Sequence, residues 1–305
     1  MTFLLAHLSD AHIGPIPRPN LAELLGKRVT GYVNWLYKRA DQHDMAVLGR
    51  IVADMKAHAP DHVLMTGDIV NIGLPAEIAL ARDWLASLGP TEAVSFTPGN
   101  HDAYVEDATP LIADAFAPWM ASEPPGGSGR GGFPSLRRRG GLALIGLDSG
   151  VPTAPFVASG ELGAAQRGAF AELLETTGRE GLTRVVFLHH PPHVGGARIL
   201  RGLEDAAEFE TIIARHGAEL IVHGHNHRPS LAWLSGPAGE TPVVGVASAS
   251  ARPGGHRPSA AYHLFAFEGN GAAAKITLCA RGVDDFGGIV ETAPVVLTRV
   301  SRPAA

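Results

Sequence analysis

Apolar residues along the chain fall into short runs that each stop at a polar cluster, with longer stretches of helical spacing between them. Residues 3–8 form the first run and predict a strand that ends at Ser9-Asp10-Ala11-His12. A second run, 63–68, ends at Thr66-Gly67-Asp68, and a third, 93–97, runs into Pro98-Gly99-Asn100-His101-Asp102. The pattern recurs at 184–188, which meets His189-His190-Pro191-Pro192, and at 220–222, which meets His223-Gly224-His225-Asn226-His227. Further strands are predicted at 142–147, 243–247, 262–267, 276–280 and 295–299. Met45, Leu48, Ile51, Val52 and Met55 recur at helical spacing and read as a core stripe. Residues 76–88, closed by Gly89-Pro90, together with 162–174 and 206–215, predict more helices. Strands alternating with helices make this an α/β chain.

Three stretches depart from that rhythm. Residues 14–40 open proline-rich and then place Leu21, Leu25, Tyr32 and Leu36 near one face of a predicted helix over 21–39, framed by Lys27, Arg28, Lys38 and Arg39. A buried surface helix fits this pattern, and so does a basic, aromatic lid or membrane contact. Gly127, Gly129 and Gly132 spell Gly-x-Gly-x-x-Gly, but two prolines precede the match and no helical pattern follows, so it reads as a loop and not as a dinucleotide site. Arg137-Arg138-Arg139-Gly140-Gly141 reads as a hairpin tip before the strand at 142–147, and Asp148 after it is open to a supporting or a turn role.

Composition narrows the function classes. The chain has 305 residues with a net charge of -5, which argues against a broad nucleic-acid-binding surface. Cys279 is the single cysteine, so an intramolecular disulfide and a thiolate metal cluster are both excluded. No basic lead precedes the short first apolar run, and no run reaches the roughly 18 apolar residues of a membrane span. A cytoplasmic protein is the expectation. One domain over 1–295, with a helical insertion at about 14–40 and a tail at 296–305, is the expected organisation.

The polar clusters carry the chemistry. Asp10, His12, Asp68, Asn100, His101, His189, His225 and His227 all follow the carboxyl end of a predicted strand, where α/β sheets build their sites. Taken alone, Asp-x-His is an ordinary polar turn; five such segments together are not. Oxygen and imidazole donors without thiolate suit manganese, iron or zinc. They are too many for one catalytic ion with open positions, whereas two ions sharing Asp68 would use them well.

In this order the segments Asp10-x-His12, Gly67-Asp68, Gly99-Asn100-His101-Asp102, His189-His190-Pro191-Pro192 and Gly224-His225-Asn226-His227 resemble the calcineurin-like metallophosphoesterase family. The His-His-Pro-Pro and Gly-His-x-His forms look most like its bacterial cyclic-nucleotide and glycerophosphodiester phosphodiesterase branch. The resemblance implies a four-layer α/β/β/α sandwich of two packed mixed sheets, and hydrolysis by metal-hydroxide attack on phosphorus. It implies Asp10, His12, Asp68 and His227 on one ion, and Asp68, Asn100, His189 and His225 on the other. His101 would meet the phosphate or leaving oxygen, with Asp102 orienting it. His223 has no counterpart in the pattern, and His190 is expected behind the ligands. Small phosphodiesters are the expected substrates. A lipid-linked phosphate or pyrophosphate, a nuclease-like activity and a non-enzymatic scaffold are the alternatives.

Overall fold

The computed structural model describes residues 2–39, 41–123, 130–255 and 258–297. Strands β1 (Phe3–Leu8), β2 (His62–Met65) and β3 (Val94–Phe96) come first. A second group follows: β4 (Ser135–Arg139), β5 (Leu142–Gly146), β6 (Thr183–Phe187), β7 (Leu220–His223), β8 (Ser230–Gly236) and β9 (Gly239–Gly245). The chain then returns through β10 (Ala261–Glu268), β11 (Lys275–Val283), β12 (Ile289–Glu291) and β13 (Val295–Val296). One sheet has the order β12-β11-β10-β1-β2-β3 with β13 on β11, and the other β4-β5-β6-β7-β9-β8. Both are mixed, each having a parallel core: β1, β2 and β3 in the first, β5, β6, β7 and β9 in the second.

Alternation along the strands explains the layering. On β1, Leu5 points between the sheets, where it joins Leu64, Leu144, Val185, Phe187, Val222 and Phe265. Its neighbours Ala6 and Leu8 point outward and pack with residues of α2 (Met45–Ala57), α3 (Pro75–Leu88) and α4 (Ala108–Met120). The outer face of the other sheet packs under α5 (Ala164–Arg179) and α6 (Ala206–His216). The result is the expected α/β/β/α sandwich. Parallel strands within each sheet bring the carboxyl ends of β1, β2 and β3 to one edge, and likewise those of β6 and β7.

Three elements escaped the sequence pattern. Helix α4 carries Pro110 and Pro118, β8 is largely half-exposed, and β12 is three residues long, so none has a strong period. The insertion also differs from expectation. Gly26, at φ 72°, breaks the chain before α1 (Lys27–Asn34), which continues as a π-helical turn over Trp35–Arg39. The register of Leu21 and Leu25 is therefore not carried on, and both are left exposed, as is Leu36. Tyr32 and Trp35 turn inward onto Ile16, Ile72 and Leu74 instead. Arg28 is buried and donates to the carbonyls of Ile72 and Gly73 and to Asp107, so its charge is used internally. Of the glycine-rich match, Gly127 and Gly129 lie outside the described residues, and β4 rather than a helix follows Gly132. Val296 pairs with Thr277 and Leu297 is buried, so the chain stays in the sheet past the expected start of the tail, whose remainder lies outside the described residues. Among the described residues no helix is long and apolar enough to cross a membrane.

The space between the sheets holds histidines as well as aliphatic residues. His263 is buried beside His7, with ring centroids 6.1 Å apart. Burial, and then the neighbouring His223, bring its pKa down to about 4. Below the unfolded value of about 6.5, the unfolded chain binds a proton that the folded chain refuses. Stability is then lost as pH falls from about 6.5 towards 4, by about 3 kcal/mol from this group at the lower end. His263→Phe is expected to flatten that acid limb when urea midpoints are followed from neutral pH downward.

Candidate metal centre

The five strand-end segments meet at one edge of the sandwich. Asp10, His12, Asp68, His225 and His227 all have positive φ, which makes them five of the eight such non-glycine residues described. Unfavourable backbone is thus concentrated at this edge, as at sites where side chains must be aimed. Glycine permits the approach of the segments. A Cβ on Gly99 would press on Asp68, and one on Gly224 would press on Ser9 and Asp10.

Two groups of donors form around Asp68. Asp10, His12, Asp68 and His227 each offer an atom within 4.8 Å of the others. His227 Nε2 lies 3.0 Å from Asp10 Oδ1, and His12 Nε2 lies 3.9 Å from Asp68 Oδ2. On the other side, His189 Nε2 is 3.3 Å from the same Asp68 Oδ2, 3.2 Å from Asn100 Oδ1 and 3.2 Å from His225 Nδ1. Asn100 Oδ1 is also 2.9 Å from His225 Nδ1. The seven residues expected as ligands thus lie close together at this edge, with Asp68 Oδ2 between His12 Nε2 and His189 Nε2.

Backbone carbonyls fix which nitrogen faces inward. Thr66 O lies 2.7 Å from His189 Nδ1, and Val70 O 3.2 Å from His12 Nδ1. With Nδ1–H donating to a carbonyl, each Nε2 turns its lone pair towards Asp68, the arrangement typical of metal-binding histidines. His189 Nε2 then faces a carboxylate oxygen and an amide oxygen, all acceptors. Such a convergence needs a positive charge within it, which a proton on His189 Nε2 supplies without metal and a bound cation would supply in its place, so the donor set fits a cation. Burial lowers the affinity of His189 for a proton, but the Asp68 charge outweighs it and pushes its pKa up to about 9. Burial would raise Asp68, yet the positive potential of His189, His101 and His12 holds its carboxyl well below the usual range.

The remaining histidines separate by their partners. Both ring nitrogens of His190 are engaged, Nδ1 with Ser149 Oγ at 2.8 Å and Nε2 with Ala158 O at 3.2 Å, although it also stands with His189 and His225 in a group close enough to hold an ion. His223 Nδ1 bonds Gly224 O, and its ring lies against Gly245. His189→Ala is accordingly expected to lower metal affinity by more than about 100-fold, beyond the cost of losing a supporting group. His223→Ala should leave it within a few-fold, and equal loss in both, measured by metal titration, would contradict this register.

Asp102 differs from expectation. Its carboxylate does not orient His101: Oδ2 accepts from the amides of Asp68 and Gly99, and Oδ1 from those of Ile69 and Val70. Burial, and then Asp68, push its pKa up to about 7 against those donors. Glu77, buried on α3, accepts from the amides of Asn71, Ile72 and Leu74. Two buried carboxylates thus satisfy the backbone of the loop that carries Asp68. His101 is held otherwise, by Asn71 O at 2.5 Å from Nδ1, by its amide on Asp68 Oδ1 at 2.7 Å, and by Tyr104 stacked at 5.7 Å. Sequence reading missed Glu77 and Tyr104, and also Ser248, whose hydroxyl donates to Asp10 O at 2.7 Å. None of them lies in a strand-end motif.

Known proteins resemble this chain in sequence and in fold. The model of the calcineurin-like phosphoesterase family matches residues 3–229. A probable cyclic nucleotide phosphodiesterase of Synechococcus sp. is 30% identical over 183 residues, 58% of this chain and 62% of that protein, so the match spans less than two thirds of the relative. Among solved structures, a dimetal phosphatase from Danio rerio superposes with a TM-score of 0.61 at 12% identity, covering 98% of this chain and 99% of that one. A purple acid phosphatase from yellow lupin, Lupinus luteus, gives 0.58 at 11% identity, covering 97% of this chain and 54% of the other, and both likenesses bear on the fold alone. With the family model spanning residues 3–229, most of the chain, this protein belongs to the calcineurin-like phosphoesterase family.

Proposed function

We propose that the protein is a cytoplasmic phosphodiesterase for small substrates of the cyclic-nucleotide or glycerophosphodiester type, working with two transition-metal ions. The observation that carries this reading is the set of acceptor atoms facing one another across Asp68 Oδ2: His12 Nε2 on one side, His189 Nε2 on the other, with Asn100 Oδ1 and His225 Nδ1 close to the latter. Asp10, His12, Asp68 and His227 would hold one ion, and Asp68, Asn100, His189 and His225 the second. Imidazole, carboxylate and amide donors favour manganese, iron or zinc, and Cys279 is engaged elsewhere, on Thr292 O. When bound, the ions supply charge to polarise phosphate oxygens and acidify a water for in-line attack.

The chain's own residues do the rest. Thr66 O and Val70 O keep the ring nitrogens of His189 and His12 in the binding tautomer. Asp102 and Glu77 keep the Asp68 loop from relaxing when the site is empty of substrate. His101, with Nδ1 committed to Asn71 O, would turn Nε2 to the leaving oxygen as it gains charge. The Synechococcus relative's printed activity supports the diester class.

A second reading is a lipid-linked phosphate or pyrophosphate, favoured by the exposure of Leu21 and Leu25 on the insertion beside the site. The internal use of Arg28 weakens it, since a membrane contact would want that charge outward. The deciding experiment is a metal-reconstituted screen over cyclic nucleotides, glycerophosphodiesters, lipid phosphates and model monoesters, with His227→Ala as the control for contaminating activity. Highest kcat/KM on small diesters, lost in the variant, supports the proposal. Preference for the lipid substrates, with co-sedimentation on anionic liposomes, would replace it by the second reading.

A further inference from the structure

One histidine at the same edge belongs to none of the motifs. His43 lies between the insertion and α2, yet its ring centroid is 4.5 Å from that of His12 and 5.8 Å from that of His227. A nitrogen of each of the three lies within 4.8 Å of the others. His12 and His227 also belong to the group with Asp10 and Asp68, so this second cluster shares two donors with the first.

The ring is anchored, as a ligand's would be. His43 Nδ1 is 2.8 Å from Ser250 Oγ. The backbone is fixed from both sides. His43 bridges Ala251, the Asp44 amide donates to Ser250 O at 2.8 Å, and the Arg252 amide donates to Gln42 O at 2.9 Å. Asp44 then caps α2, accepting from the amides of Ala46 and Val47. The segment that holds His43 is also the one whose Ser248 holds the Asp10 carbonyl. A ring nitrogen held by a polar group recurs in His12 and His189, and it fixes the ring of a metal-binding histidine.

We propose that His43 is a third imidazole at the metal position of Asp10, His12, Asp68 and His227, supplied by the chain as it leaves the insertion. This rests on the two-metal reading above. It makes the two positions unequal: three imidazoles and two carboxylates at one, two imidazoles, one carboxylate and one amide at the other. The position with the additional nitrogen donor binds its ion more tightly and leans further towards metals that favour imidazole.

Calorimetric titration of Mn²⁺ into the metal-free full-length protein tests this. Wild type should take up two ions; fewer than two would overturn the two-metal reading itself. The contribution of His43 is then read in two backgrounds that each disable one position. In His225→Ala the remaining ion belongs to the position of His43, and adding His43→Gln should weaken it about 10–100-fold. In His227→Ala the remaining ion is the other one, and the same substitution should change its affinity by less than about twofold. Ser250→Ala, which keeps His43 but releases its ring, should weaken the same position by a smaller factor and serves if His43→Gln folds poorly. Unchanged affinity in the His225→Ala background, or equal loss in both backgrounds, would overturn the role given to His43.

Discussion

Asp68→Asn is expected to abolish tight binding of one of the two metal ions, by more than about 100-fold, and to remove most diester hydrolysis with it. The carboxylate is buried, and Oδ2 lies 3.9 Å from His12 Nε2 and 3.3 Å from His189 Nε2, so one oxygen faces both donor sets. Its other oxygen accepts the His101 amide at 2.7 Å. An amide of the same shape removes the negative charge that two cations would share, and it puts an N–H₂ where one of these contacts needs an acceptor. The change leaves the four amides on Asp102 untouched, so the fold should survive. Elemental analysis with an activity assay checks this. Two ions retained in an active Asp68→Asn protein would count against the shared carboxylate.

His101→Ala should behave differently, keeping both ions and lowering turnover by about 10²–10⁴-fold, the range for a positioned acid or hydrogen-bond donor. The ring is fixed by Asn71 O, by the stack on Tyr104 and by an edge contact to His12 at 4.9 Å, a placement suited to substrate rather than to metal. If it protonates the leaving oxygen, the loss should shrink with a nitrophenyl diester, whose leaving group needs no proton, compared with an alkyl diester. Equal loss on both would assign it to stabilising phosphate oxygens. Loss of a metal ion would make it a ligand and break the assignment.

Much of this was legible in the sequence because strands ending in metal-binding residues leave a local signature. Short apolar runs placed β1, β6 and β7 to within a residue and β2 to within three, and the same runs pointed to the donors that follow them. What stayed hidden depends on contacts made far along the chain. The family resemblance implied that Asp102 orients the His101 ring; in the fold it serves four backbone amides, three of them from the Asp68 loop. His43 follows a stretch whose helical pattern misled, because Gly26 resets the register and only the bridge to Ala251 brings the ring to the edge. Glu77 stands in the first turn of α3, and its three acceptor contacts appear only when the loop from 68 to 74 closes over it.

The most direct test of the account is a reconstitution curve: metal-free protein is given increasing Mn²⁺, and bound metal per chain is measured beside diester hydrolysis. A two-ion site sharing Asp68 predicts that activity stays low through the first equivalent and rises with the second. Full activity in the metal-free protein, or activity complete at one ion per chain, would contradict it.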